Sequence, residues 1–295
     1  LEILVMLQYP ALDPIIFSVG PIAIRWYGMM YLLGFLAAYL LGRYRSKQPG
    51  SPLAAEQVED LIFYGAIGAV LGGRVGYVFF YGFDHFVADP VWLFRIWEGG
   101  MSFHGGLLGV LLALMLYARK VQRPLGAICD FVAPLAPLGL GFGRLANFIN
   151  GELYGRPTDQ PWAMLFPGDP LALARHPSQL YQFALEGLLL FAVVWWFSRQ
   201  KRPAWSVTGV FLVGYGLARY TVECFREPDA ALIVCSLTRG QFLSMPMLLG
   251  GAVMIAFAFY SGGVDRSQSI SAKGGVGAGS AKPRLSGKAK RKRRR

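Results

Sequence analysis

Between Gly143 and Arg156 the chain reads GRLANFINGELYGR, placing Arg144, Asn147, Asn150, Glu152, Tyr154 and Arg156 within fourteen residues. Two guanidiniums, two amides and a carboxylate suit an anionic, phosphate-bearing ligand, because guanidinium donors match phosphate oxygens in pairs. The segment overlaps the end of an apolar run from Phe131 to Leu145. Ionisable groups at the rim of a bilayer are costly, so they face a protein interior and mark a functional pathway. The chemistry to expect is anion recognition at a membrane surface.

Other residues invite the same question. His104 sits in WEGGMSFHGG between two glycine pairs. A near-neutral imidazole there suits a general base, although a histidine bonded to a headgroup or a neighbouring helix is slightly favoured on the residues alone. Arg219 and Glu223, in YGLARYTVECFREPDA, are four apart on one helical face, with Tyr215 one turn earlier. That pair either ties two helices together or holds Arg219 against a substrate phosphate. Tyr27, in WYGMMYLLGF, reads as an aromatic-belt residue, with a polar cavity as the alternative. Arg74, in GGRVGYVFFY, is as well explained by a structural pairing as by function. Ser102 and Ser178 lack an obvious activating partner, which counts against a serine hydrolase. Cys129, Cys224 and Cys235 form no CxxC pair, and no His, Asp or Glu cluster has ligand spacing. No metal or cofactor is expected, and a Cys224–Cys235 disulfide is only a minority expectation.

The elements that must position these groups are membrane-spanning. Of 295 residues, 54% are hydrophobic and 16% charged, where a soluble domain carries about a quarter charged residues; mean hydropathy is +0.41. The expected fold is an all-α polytopic membrane protein, because a span needs about 20 apolar residues. Seven candidates lie near 19–42, 60–81, 103–118, 126–148, 179–198, 207–225 and 241–260. The first lacks the basic flank and cleavage site of a signal peptide. Residues 1–260 form the transmembrane domain, with a small head at 149–178 and an amphipathic stretch at 82–102. The segment 261–295 reads as a disordered basic tail, a positive-inside or lipid-anchoring element rather than a nucleic-acid binder.

Charge orients the spans. The loops holding Arg43, Arg45 and Lys47, then Arg119, Lys120 and Arg123, then Arg199, Lys201 and Arg202 share one side with the tail. That side carries 20 of the 29 basic residues, which puts the C-terminus in the cytoplasm and the N-terminus outside. The other nine are Arg25, Arg74, Arg95, Arg144, Arg156, Arg175, Arg219, Arg226 and Arg239, arginine every time. Topology alone does not choose arginine over lysine, whereas bidentate recognition of phosphate or carboxylate does.

WYGMMYLLGF, GGRVGYVFFY, WEGGMSFHGG, GRLANFINGELYGR, RHPSQLY and YGLARYTVECFREPD, in that order, together resemble the bacterial prolipoprotein diacylglyceryl transferases. The likeness runs from about Asp13 to Gly250, and GRLANFINGELYGR is its most specific segment. It implies seven spans in the inner membrane with a periplasmic N-terminus. The implied reaction transfers diacylglyceryl from phosphatidylglycerol to the lipobox cysteine of a prolipoprotein, with no cofactor. By motif, His104, Arg144 and Arg219 become catalytic candidates, and Tyr27, Asn147, Glu152, Gly155 and Tyr215 become substrate-binding candidates; Glu223 joins them from its spacing, as the residue that would hold Arg219. Two departures stand out: the head between Tyr154 and His176 looks short, and Gln182 replaces a common glutamate, so no function is expected at that position.

Overall fold

A backbone in hydrocarbon must satisfy its polar groups within its own segment, so apolar runs of this length become helices. The computed structural model describes residues 7–10, 12–20, 22–227 and 237–274. Its helices are α1 (Trp26–Ser46), α2 (Ala55–Tyr81), α3 (Phe83–Ala88), α4 (Phe103–Lys120), α5 (Leu125–Val132), α6 (Ala136–Ile149), α7 (Ser178–Gln182), α8 (Leu190–Phe197), α9 (Ser206–Glu223) and α10 (Arg239–Gly274). A π-helical stretch, Phe183–Leu189, joins α7 to α8. Among the described residues, Ala55–Tyr81, Ser178–Phe197 and Arg239–Ser261 are long and apolar enough to cross a membrane. The pair α5–α6, bent by 45°, is a fourth candidate. The outward side chains agree: Leu32, Leu36 and Leu40 of α1 and Phe79 and Phe80 of α2 are exposed, as suits lipid contact but not water. The chain is a mostly helical membrane protein.

Two expected spans start or run differently. The stretch from residue 19 does not begin a helix: β2 (Ile15–Val19) and β3 (Ile22–Arg25) pair antiparallel, Val19 opposite Ile22. Isoleucine and valine favour strands, and Gly20, at φ +58°, accepts the turn conformation that other residues resist. The run at 126–148 is broken between Val132 and Ala136, where Pro134 interrupts the backbone ladder and Pro137 fits the first turn of the next helix. At the other end of the chain, α10 runs on through residue 274, into the segment expected to be disordered. The remainder of that tail, with its basic end, lies outside the described residues, and so does Cys235 with its expected disulfide.

Small residues let helices approach without side chains between them. On α2 and α4, a Cβ added at Gly76 would lie 2.8 Å from the Gly105 Cα, and one at Gly68 would lie 2.5 Å from the Gly109 oxygen. The α6 helix meets the π stretch the same way, with the Cβ position of Gly187 only 2.9 Å from the Gly141 Cα. At the end carrying Arg43 and Arg45, a cluster of Val58, Leu61, Leu114, Tyr117, Ile128, Phe131 and Leu135 is buried. Asp130 of α5 also binds the start of α9 there: its carboxylate accepts from Trp205 N (2.7 Å), Thr208 N (2.8 Å) and Thr208 Oγ1 (2.6 Å). An anionic group at a helix N-terminus satisfies orphan donors and complements the dipole.

The opposite end carries a small head. β1 (Leu7–Gln8) pairs parallel with β4 (Met164–Leu165), which pairs antiparallel with β5 (Ala174–Arg175), in the order β1–β4–β5. Tyr9 anchors the first strand by donating to the carbonyls of Phe148 (2.6 Å) and Ile149 (2.7 Å) at the end of α6. The head is therefore stitched directly to the segment that carries the polar residues.

Candidate active site

Helix α6 presents Arg144 one turn beyond Gly141, while Glu186 precedes Gly187 on the facing π stretch. The close contact of the two glycines lets the side chains meet: Arg144 Nε lies 3.0 Å from Glu186 Oε2. Glu186 is wholly buried, whereas the arginine side chain keeps 20% of its surface exposed. Gln182 Nε2 donates to the other carboxylate oxygen at 3.2 Å. Gln182 was assigned no function in the sequence, and it proves to be a buried partner of Glu186.

A second arginine–glutamate pair lies on α9. Arg219 Nη2 is 2.9 Å from Glu223 Oε2, and Arg226 Nη1 approaches the same oxygen at 3.9 Å. Glu223 is 3% exposed, and its carboxylate lies where a Cβ on Gly240 would be, at 2.5 Å. Arg219 Nη1 is buried without a hydrogen-bond partner among the described residues. Tyr215, one turn before Arg219, stands within electrostatic reach of Arg144, Glu186 and Arg219, so it lies between the two pairs. On α1, which packs against α6, Tyr31 is in reach of Arg144 and its ring lies 5.3 Å from that of Tyr27.

The loop after α6 is held by its own polar groups. Asn147 Nδ2 donates to Glu152 Oε1 at 2.8 Å, and Asn150 Nδ2 reaches the same oxygen at 3.4 Å. Gln179 Nε2 donates to the Glu152 carbonyl at 2.6 Å, and Ser178 Oγ to that of Leu153 at 2.9 Å. Gly155 donates its N–H to His176 O (2.8 Å) and bridges to Arg226. A Cβ there would lie 2.5 Å from the Phe225 carbonyl, so only glycine lets these three strands of chain meet. Ser178 and Ser102 both have structural duties: Ser102 Oγ caps α4 by accepting from Gly105 N at 3.2 Å.

In the head, Arg175 donates twice to Asp169, from Nε at 2.6 Å and Nη2 at 3.0 Å, and from Nη1 to Glu227 at 2.8 Å. The guanidinium holds the Asp169 carboxyl well below the usual carboxylate range, down to about 2. Beside it His176 meets the Tyr181 hydroxyl at 3.0 Å, and burial lowers its pKa. Arg74 is equally occupied. Its nitrogens donate to the carbonyls of Leu93 (3.0 Å), Gly99 (2.6 Å) and Trp92 (2.5 Å), and its plane lies over the Trp92 ring. The nine arginines expected on the outer side thus divide, and Arg74 and Arg175 serve the fold rather than a ligand.

His104 stands apart from this cluster. It is exposed in the first turn of α4, edge-on to Phe103, with no hydrogen bond or ion pair to the arginine cluster among the described residues. The structure therefore brings Arg144, Tyr215, Arg219 and Glu223 together, reaches Tyr27 only through Tyr31, and sets Asn147, Glu152 and Gly155 at the end of α6 and in the loop that follows it. It adds Glu186 and Gln182, whose only sequence signal was polarity inside an apolar run.

Residues 14–257 match the family model described as prolipoprotein diacylglyceryl transferase. The chain belongs to that family. It is a transferase by that membership. A Vibrio vulnificus phosphatidylglycerol–prolipoprotein diacylglyceryl transferase is 57% identical over 259 residues, spanning 87% of this chain and 95% of the relative. Proteins of the same description from Marinomonas sp. and Acinetobacter baylyi are 56% and 55% identical, over 85% and 86% of the chain and 94% and 95% of the relatives.

Proposed function

We propose that this chain moves the diacylglyceryl group of phosphatidylglycerol onto the lipobox cysteine of a prolipoprotein signal peptide, the first step of bacterial lipoprotein maturation. Both substrates are named in the descriptions of its relatives. The observation that carries the reading is the pair of arginines around Tyr215, each anchored by a buried glutamate, with Arg219 Nη1 buried and without a hydrogen-bond partner among the described residues. The cysteine sulfur forms a bond to the glyceryl carbon while that carbon's bond to the phosphate oxygen breaks. The leaving glycerol phosphate takes the electron pair, so negative charge grows on a phosphate monoester, where fixed cations stabilise it most. Arg144 and Arg219 fill that role, and Asn147, with Glu152 and Gly155 beside it, orients the headgroup.

The thiol must lose its proton, since only a thiolate is a competent nucleophile and an ordinary cysteine titrates near ~8.5. His104 is the candidate base, at an exposed rim where a peptide has access. Tyr27 and Tyr215 line the cavity, and Glu223 holds Arg219. The same reading places seven spans in the inner membrane, the N-terminus and the 149–178 head in the periplasm and the C-terminus in the cytoplasm. Its support is the basic residues that close α1 and α4: Arg43 and Arg45, then Arg119 and Lys120.

The deciding experiment measures glycerol phosphate release from phosphatidylglycerol vesicles by the purified protein, with a lipobox peptide carrying cysteine or serine. Release that needs the thiol is expected. Release with either peptide would mean a phospholipase-like hydrolase. No release despite lipid binding would leave a scaffold or a transporter.

A further inference from the structure

Resting on that reaction, we propose that Glu186 is a positioning residue for the transfer, setting the aim of Arg144 from inside the bundle. Four observations converge on it. Its side chain is fully buried while that of Arg144 keeps 20% of its surface exposed, so the carboxylate grips the arginine from its buried side. The grip engages Nε at 3.0 Å, which constrains the plane of the guanidinium without claiming its terminal donors. The second carboxylate oxygen is fixed by Gln182 at 3.2 Å, so Glu186 is not free to swing away. Finally, Glu186 lies on the π stretch Phe183–Leu189, inside an otherwise α-helical span. Such turns are rare and recur at functional sites.

The glycine contact explains why the aim is sharp. Gly141 and Gly187 bring the two backbones together, one turn before Arg144 and one residue after Glu186. Over so short a lever the carboxylate cannot shift without moving the guanidinium. A neutral amide at position 182 suits this arrangement, because Glu186 then remains the carboxylate that offsets Arg144. A misplacement of about 1 Å at a catalytic group costs about 100-fold in rate, so the prediction is large.

The experiment measures thiol-dependent glycerol phosphate release by the full-length protein and by Glu186→Gln, Glu186→Asp, Arg144→Lys and the Glu186→Gln/Arg144→Lys double variant. Thermal unfolding of each variant is followed in the same detergent. Glu186→Gln removes the charge, and Glu186→Asp keeps it but withdraws the oxygens by one methylene. Both should lower kcat by about 10- to 100-fold with the KM for phosphatidylglycerol unmoved, since the lost interaction belongs to the transition state. The double variant should be no slower than Arg144→Lys, because both changes disable one device. A purely structural glutamate would instead shift the unfolding midpoint and leave the kcat of the folded protein intact. Near-normal kcat in both single variants overturns the inference, and so does a loss confined to KM or one that adds fully to that of Arg144→Lys. If Glu186→Gln fails to fold, Glu186→Asp decides alone by the same criteria. A wild-type protein that releases nothing overturns the reaction itself, an outcome distinct from failure at Glu186.

Discussion

Arg144 and Arg175 are each clasped by a buried carboxylate, yet the two clasps do opposite things. In the head, Arg175 spends Nε and Nη2 on Asp169 and Nη1 on Glu227 and the Gly155 carbonyl, so all three guanidinium nitrogens are engaged by its own chain. In the bundle, Glu186 engages Arg144 through Nε, and Arg219 is left with a buried Nη1 that has no hydrogen-bond partner among the described residues. Burial of an unsatisfied charged donor is expensive, and a fold tolerates it where a ligand completes the set. Arginines of one type therefore separate by what remains unspent. Arg74 and Arg175 are bound up in the scaffold, and in the proposed reaction Arg144 and Arg219 are the ones that receive the anion.

The largest effect is expected at a residue outside both arginine classes. His104→Gln should cut turnover at neutral pH by about 10²- to 10⁴-fold, the range of a general base; substantial activity with an ordinary pH profile would remove that role from His104. Next, Arg144→Lys keeps the charge but loses the planar fork, and turnover should fall by about 10²- to 10³-fold at unchanged expression. Near-normal turnover there would erase the distinction between the two arginine classes. Arg74→Met reverses the pattern. Four carbonyls, those of Leu93, Gly99, Gly100 and Trp92, lose their donor, so stability should drop by about 3 kcal/mol or more, read as a lower unfolding midpoint, while the folded fraction works normally.

The smallest effect is confined to acid. Asp169 has its pKa depressed to about 2 from an ordinary ~3.9, so its contribution is complete above the ordinary value and fades as pH falls toward the folded one. Trp162 fluorescence should report loosening of the head across that window in the wild-type protein, and Asp169→Asn should flatten the response. An unchanged acid response in the variant would mean that the Arg175 clasp does not govern the head.

Much of this was legible before any coordinates. Arg144 stood out in GRLANFINGELYGR because charge is improbable in an apolar run, and i, i+4 spacing predicted the Arg219–Glu223 contact that the structure shows at 2.9 Å. The Arg144–Glu186 pair was not legible, since its partners are 42 residues apart and no periodicity links them. Asp130 was missed for the same reason: it caps a helix 78 residues away. Nor does composition foretell a π turn, whose cost is set by tertiary contacts rather than by propensity. The β2–β3 hairpin was hidden by its own hydrophobicity, because isoleucine-rich strands at a membrane surface read as the first turns of a span.

The parallel pairing of Leu7 with Met164 has a consequence for synthesis. Roughly 150 residues separate the two strands, and at about 5–20 residues per second the ribosome needs roughly 8 to 30 s to make them. Through that interval the first strand waits unpaired, and the tyrosine behind it has no helix end to grip. The sheet cannot close until the helices between its strands have been made, so a nascent chain completes it only after the scaffold beneath is in place.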